Sequence, residues 1–318
     1  MSASNFQFSA VFEKQRNPIP AVGGLLEALA DTTLFYAEQG LRHPLGIYNQ
    51  SLTKIGKRAV ELLTKLARTI EDELAVLGAG QSHLDALLEA NDHFLDALIE
   101  HVDDCKAVLK GVLGPEESYK AISAFGKAIE PYRDHIGAIV NLIKHQQAVF
   151  SPVQFSWPGN ICIGYFVATV NDGLTVGPSR RIHRDGNSGF SFNRDIPFHL
   201  CGTFFVGEKL RNQLVSSRPI LRSLTSENAI GGERALEAPW TRALLMSSQL
   251  PRVFFPDEVR LSPPLISVDN DRVRVTYAPS PFKRAKPPPS GAKVSVSFSG
   301  DGVTRSFKMP YFGSQKAQ

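Results

Sequence analysis

The amino-acid sequence predicts an α+β protein: an N-terminal antiparallel helical bundle followed by a mainly antiparallel, β-rich domain. Three observations predict it, and all three change near Ser151–Pro152. Before that point apolar residues recur at steps of three and four, the helical period. After it, short runs alternate apolar and polar residues between turn dipeptides. Only five of the 21 prolines precede it. Residues 1–150 carry 14 Lys and Arg against 19 Asp and Glu, a formal −5, and residues 151–318 carry 21 against 12, a formal +9. The expected domains are therefore an acidic helical bundle over 1–150 and a basic, arginine-rich β domain over 151–318.

The helical elements follow from spacing and punctuation. A first helix is expected over roughly 20–39, with Leu25, Leu26, Leu29, Thr33 and Tyr36 on one face. Pro44 to Leu77 reads as a long helix with Tyr48, Leu52, Ile55, Leu62, Leu66, Ile70 and Leu74 in one stripe, ended by Gly78 and Gly80. Ser82 opens the next, with Asp85 in the capping-box position. Its apolar face runs from Leu84 to Leu109, and Gly114-Pro115 stops it. The short link makes the two long helices an antiparallel hairpin. A last helix is expected from Pro115 to Phe150, kinked or split at Pro131, because proline lacks the backbone donor.

In the second half, strands are expected at Val153–Trp157, Ile161–Val170, Arg180–Arg184, Phe190–Phe192 and Phe198–Val206. Pro158-Gly159 and Asn171-Asp-Gly173 supply turns. A helix is expected over about 208–224, broken by Pro219, and a short one at Trp240–Ser248. Strands resume at Val253–Phe255, Leu265–Val268, Arg272–Tyr277, Val294–Phe298 and Val303–Lys308, the last two forming a hairpin about Gly300-Asp-Gly302.

Composition bounds the function. With 42% hydrophobic and 21% charged residues the chain is globular. Its richest apolar run, Ile161–Val170, is too short to cross a membrane as a helix, and no membrane partner is expected. Three scattered cysteines, Cys105, Cys162 and Cys201, make no disulfide framework, and the N-terminus shows no secretory pattern. Both point to the cytoplasm. Phosphate-loop, dinucleotide-turn, zincin and nucleophile-elbow motifs are absent.

Three sets of residues carry possible chemistry. The first is arginine, since fifteen of the twenty follow residue 150. Arg180, Arg181 and Arg184 crowd one segment, Arg272 and Arg274 share one face of a strand, and Lys283-Arg284 adds a basic run. Guanidinium forks match phosphate geometry, so these seven are the expected polyanion-binding residues. The second set is Cys162, His183, His199 and Cys201, which would make a tetrahedral zinc site if neighbouring strands brought them together. Buried free cysteine is commoner, so no cofactor is expected, with zinc as the alternative. The third is Asp269-Asn-Asp271, which reads as a turn. The six histidines before residue 150 include no Glu-x-x-His pair of the di-iron kind and read as incidental members of a polar stripe.

The resulting expectation is a non-enzymatic binding or assembly protein. Its bundle would serve self-association into a homo-oligomer or contact with a partner, and its basic β domain would hold nucleic acid or an acidic protein surface. A metal-dependent enzyme, such as a hydrolase, with a Cys/His site in the β domain is the alternative. A scaffold role in a larger homo-oligomeric assembly is a third.

Overall fold

A short strand, β1 (Phe8–Glu13), opens the chain and was not foreseen. Helix α1 is only Val22–Glu27, followed by one 3-10 turn at Asp31–Thr33. The helix expected over 20–39 is therefore cut short. The Phe35 N–H goes instead to the Gly111 carbonyl at 2.8 Å, a tertiary bond in place of a helical one. These and all later details come from a computed structural model, which describes residues 6–13, 18–75, 81–171, 175–183, 187–224, 238–269, 272–278, 285–298, 303 and 306–312.

The long helices match their sequence signals. α2 (Pro44–Leu74) starts with proline in its first turn, and His43 Nδ1 accepts the Leu45 N–H at 3.2 Å. α3 (Gln81–Ala128) is broken at Gly114, whose φ of 79° suits glycine ahead of Pro115. α4 (Glu130–His145) takes Pro131 in its first turn, where a missing N–H costs nothing. α2 and α3 pack along their lengths, burying Leu52, Ile55, Leu62 and Leu66 against a stripe that includes Leu87, Leu98, Val102 and Leu109.

β2 (Val149–Trp157) and β3 (Asn160–Asn171) form an antiparallel hairpin turned at Gly159, φ 72°. β4 (Thr175–Pro178) and the two-residue β5 (Phe190–Ser191) both pair with β3. Then come α5 (Phe192–Ser217), α6 (Pro239–Ser248) and four strands: β6 (Pro264–Asp269), β7 (Arg272–Tyr277), β8 (Lys293–Val296) and β9 (Ser306–Phe307). They complete two sheets, one ordered β1-β7-β6 and one ordered β8-β2-β3-β4-β9 with β5 beside β3.

Several expectations need correction. The strand expected over 198–206 is the middle of α5, which also absorbs most of the helix expected over 208–224. Every residue from Phe192 to Gly207 is buried, polar ones included, so apolar residues are not confined to one face and the segment lacks a 3.6-residue period. Pro219 ends the element and starts a 3-10 turn. The hairpin expected about residues 300–302 does not form. β8 pairs with β2 and β9 runs parallel to β4, at opposite edges of the sheet. Packing of Val294 and Val296 against the Phe155–Phe255 cluster overrides the local turn signal. Residues 180–183 form turns, not a strand, and Val253 makes only an isolated bridge to Lys286.

Packing crosses the change in sequence character. Position 150/151 lies inside β2, and β1 from the acidic half pairs with β7 from the basic half. One apolar cluster holds Leu95, Phe125 and Ile136 together with Ile163, Phe192 and Phe204.

A buried histidine locks α2 to α3. Ser51 Oγ lies 2.8 Å from His101 Nδ1, and Cys105 Sγ lies 3.7 Å from its Nε2. Burial lowers the His101 pKa to about 4. The folded state thus binds fewer protons than the unfolded chain between pH 6.5 and 4, so stability falls as pH drops through that window. The loss amounts to about 3 kcal/mol from this residue. Urea midpoints measured from pH 7 to 4 should show the decline. His101→Asn should start lower at pH 7 and decline less steeply.

Candidate metal centre

α5 runs through the middle of the molecule and carries ionisable groups with it. Asp195 and His199 are one helical turn apart and so project to one side. α4 adds Tyr132 and His135, three residues apart, and β3 adds Tyr165. One ligand atom each from His135, Asp195 and His199 lie within 4.8 Å of one another. His199 is 0% exposed and Asp195 1%. His135 is partly exposed, with its ring edge-on to Phe190 at 5.7 Å and to Phe198 at 5.4 Å.

Hydrogen-bond accounting fixes the orientation of the ligands. The Tyr165 hydroxyl donates to Asp195 Oδ2 at 2.7 Å. The Tyr132 hydroxyl donates to the His199 carbonyl at 3.2 Å and lies 3.3 Å from His199 Nδ1. With that proton committed, Nδ1–H donates back to the tyrosine oxygen, and Nε2 presents a lone pair. Nε2 and Asp195 Oδ1 then face each other at 3.5 Å, both buried and both without a hydrogen-bond partner. A charge-assisted N–H···O bond is about 2.7–2.9 Å long. Two ligands on one tetrahedral ion, with bonds of about 2.1 Å, are about 3.4 Å apart. The spacing fits a shared cation better than a shared proton.

The electrostatics agree. Burial opposes ionisation of Asp195, but the positive charge and hydrogen bond of a protonated His199, the Tyr165 hydroxyl and His135 outweigh it and hold the carboxyl below its usual range, and a cation at the same place would act in the same direction. Burial lowers His135 to about 3, helped by His199, so its imidazole is neutral at pH 7. Two histidines and one carboxylate form a donor set used by divalent transition ions, and two of the three have the outer hydrogen bonding such sites need, His199 from Tyr132 and Asp195 from Tyr165.

The expected zinc set does not assemble. Cys162 Sγ points to the Val253 carbonyl at 3.4 Å, and Cys201 Sγ to the Thr276 carbonyl at 3.7 Å. His183 Nε2 accepts the Val167 N–H at 3.0 Å, so that lone pair is occupied. Burial pushes the Cys201 thiol up to about 12 and leaves it a poor ligand. Of the four, only His199 joins a donor cluster among the described residues. Asp195 and His135 were missed. The Asp-x-x-x-His spacing would have revealed the first had residues 192–217 been read as a helix. No sequence signal separates His135 from the other histidines of the helical half.

The expected polyanion residues are dispersed. Arg272 and Arg274 lie on β7, on the outer face of the smaller sheet, whereas Arg180 and Arg181 follow β4 of the larger one. Arg272 sits directly between Glu13 of β1 and Asp269 of β6, so acids flank its charge on both sides. Arg184, Lys283 and Arg284 fall outside the described residues. Comparison with protein families, with curated proteins and with solved structures returns no match.

The junction of α4 with α5 depends on Gly202. A Cβ there would meet Tyr132 Cε2 at 2.2 Å and its hydroxyl at 2.7 Å. Gly202→Ala should therefore displace Tyr132 and cost about 1–3 kcal/mol in chemical denaturation. A Cβ at Gly137 of α4 would meet nothing within 4 Å. Gly137→Ala should be neutral or up to about 1 kcal/mol stabilising.

Proposed function

We propose that the protein is a metal-dependent protein holding one divalent transition ion, zinc or iron(II), through His135, Asp195 and His199. The observation that carries this reading is the buried pair His199 Nε2 and Asp195 Oδ1, 3.5 Å apart and each without a hydrogen-bond partner, with a His135 ring nitrogen in the same cluster. Three protein ligands leave one position open on a tetrahedral ion and three on an octahedral one. The ion would supply Lewis acidity to whatever occupies the open position. The chain's own part is to hold the ligands: Tyr165 orients the carboxylate, Tyr132 fixes the His199 tautomer, and Phe190 and Phe198 confine the His135 ring.

Binding of a polyanion through the arginines is the weaker proposal, because Arg272 is flanked by acids and the candidates divide between two sheets.

Metal titration tests the reading. Protein stripped with chelator should take up one equivalent of zinc. Its melting temperature should rise, because binding to the folded state alone adds about 2.7 kcal/mol at a free concentration of 100 times Kd. His199→Ala and Asp195→Asn should each abolish uptake, whereas the Cys162→Ser, Cys201→Ser double variant should retain it. Wild-type protein that takes up no zinc, iron(II) or manganese and shows no thermal shift would refute the proposal.

A further inference from the structure

Beside the three ligands lies a buried cation that makes no ion pair within 4.0 Å among the described residues. Arg194 precedes Asp195 on α5 and is 5% exposed. Its guanidinium lies over the Phe198 ring, 5.4 Å from the centroid, and the His135 ring meets that same phenyl at 5.4 Å. Arg194 Nε is buried without a hydrogen-bond partner, and Arg194 makes no ion pair among the described residues. Buried arginine is otherwise almost always paired. The buried acid that feels its field is Glu258, whose oxygens are taken by Ser191 N–H, Ser191 Oγ and Phe255 N–H. Burial pushes the Glu258 carboxyl up to about 8, so at neutral pH it is mostly protonated and neutralises little.

With a divalent ion in place, the charges are two positive from the metal, one negative from Asp195 and one positive from Arg194. The sum stays positive even if Glu258 ionises. Net positive charge enclosed by protein is costly, and an anionic ligand removes the cost. We infer that the metal centre takes a small oxyanion, a carboxylate or a phosphate, bound jointly by the ion and the Arg194 guanidinium. The inference rests on the metal reading above. The fork of a guanidinium matches either oxyanion bidentately, and Phe198 holds it in place.

Calorimetric titration of the zinc-loaded full-length protein with oxalate, and separately with inorganic phosphate, tests it. Zinc is the probe because its affinity for such donors exceeds that of iron(II). The wild type should bind one anion per zinc, and the tighter of the two identifies a carboxylate or a phosphate ligand. Arg194→Gln should bind at least tenfold more weakly with zinc content unchanged. Arg194→Lys, which keeps the charge without the fork, should lie between them and carries the test if the glutamine variant does not fold. Equal affinity in wild type and either variant overturns the inference, as does zinc-loaded wild type that binds neither anion. Anion binding that survives removal of zinc places the anion on the arginine alone and also overturns the shared site. Failure of the metal reading itself is seen separately, as protein that retains no zinc before any anion is added.

Discussion

The structure is organised by the need to enclose α5 on every side. From Phe192 to Gly207 no residue reaches solvent, so no single face can be given to water and every neighbour must supply cover. α3 and α4 pack on one side, β3 on another, and the sheet of β1, β7 and β6 on a third. This is why the acidic and basic halves of the chain share one apolar cluster. Each contributes part of the shell, and neither shell fragment would be closed alone.

The same enclosure explains the chemistry. A helix buried all round carries its polar residues into low dielectric, where each must find a partner. Asn193 reaches the Val253 carbonyl, Thr203 the His199 carbonyl, and Asp195 the Tyr165 hydroxyl. Arg194 Nε, His199 Nε2 and Asp195 Oδ1 are the atoms of this helix left over. His199 Nε2 and Asp195 Oδ1 lie 3.5 Å apart, in one cluster with His135 of α4.

Legibility in the sequence follows the degree of burial. α2 was readable because only one stripe of it is covered, leaving Lys54, Lys57 and Glu61 to mark the wet side. The breaks at Gly114 and Pro131 were readable because backbone chemistry dictates them locally. α5 was not, since a continuous apolar run has no period to distinguish helix from strand. Placing 198–206 in a strand set His199 and Cys201 on one face, whereas the helix sets His199 beside Asp195 and sends Cys201 toward β7. One element misread thus hid two of the three ligands' relationship. The β8–β9 hairpin failed for a different reason: a turn signal specifies two residues, and the edges of a sheet were competing for the strands on either side.

The pairing of β1 with β7 has a consequence for how the chain is made. The hydroxyls of Ser9 and Thr276 meet at 3.3 Å although 267 residues separate them. At a synthesis rate of about 5–20 residues per second, β1 leaves the ribosome roughly 10–50 s before its partner strand exists. For the last part of that interval α5 (Phe192–Ser217) is already made but lacks the sheet that covers it. The nascent chain therefore carries α5 with the cover of α3, α4 and β3 but not of β6 and β7 until those two strands are made. Any message truncated before β7 would yield a product with that surface permanently uncovered.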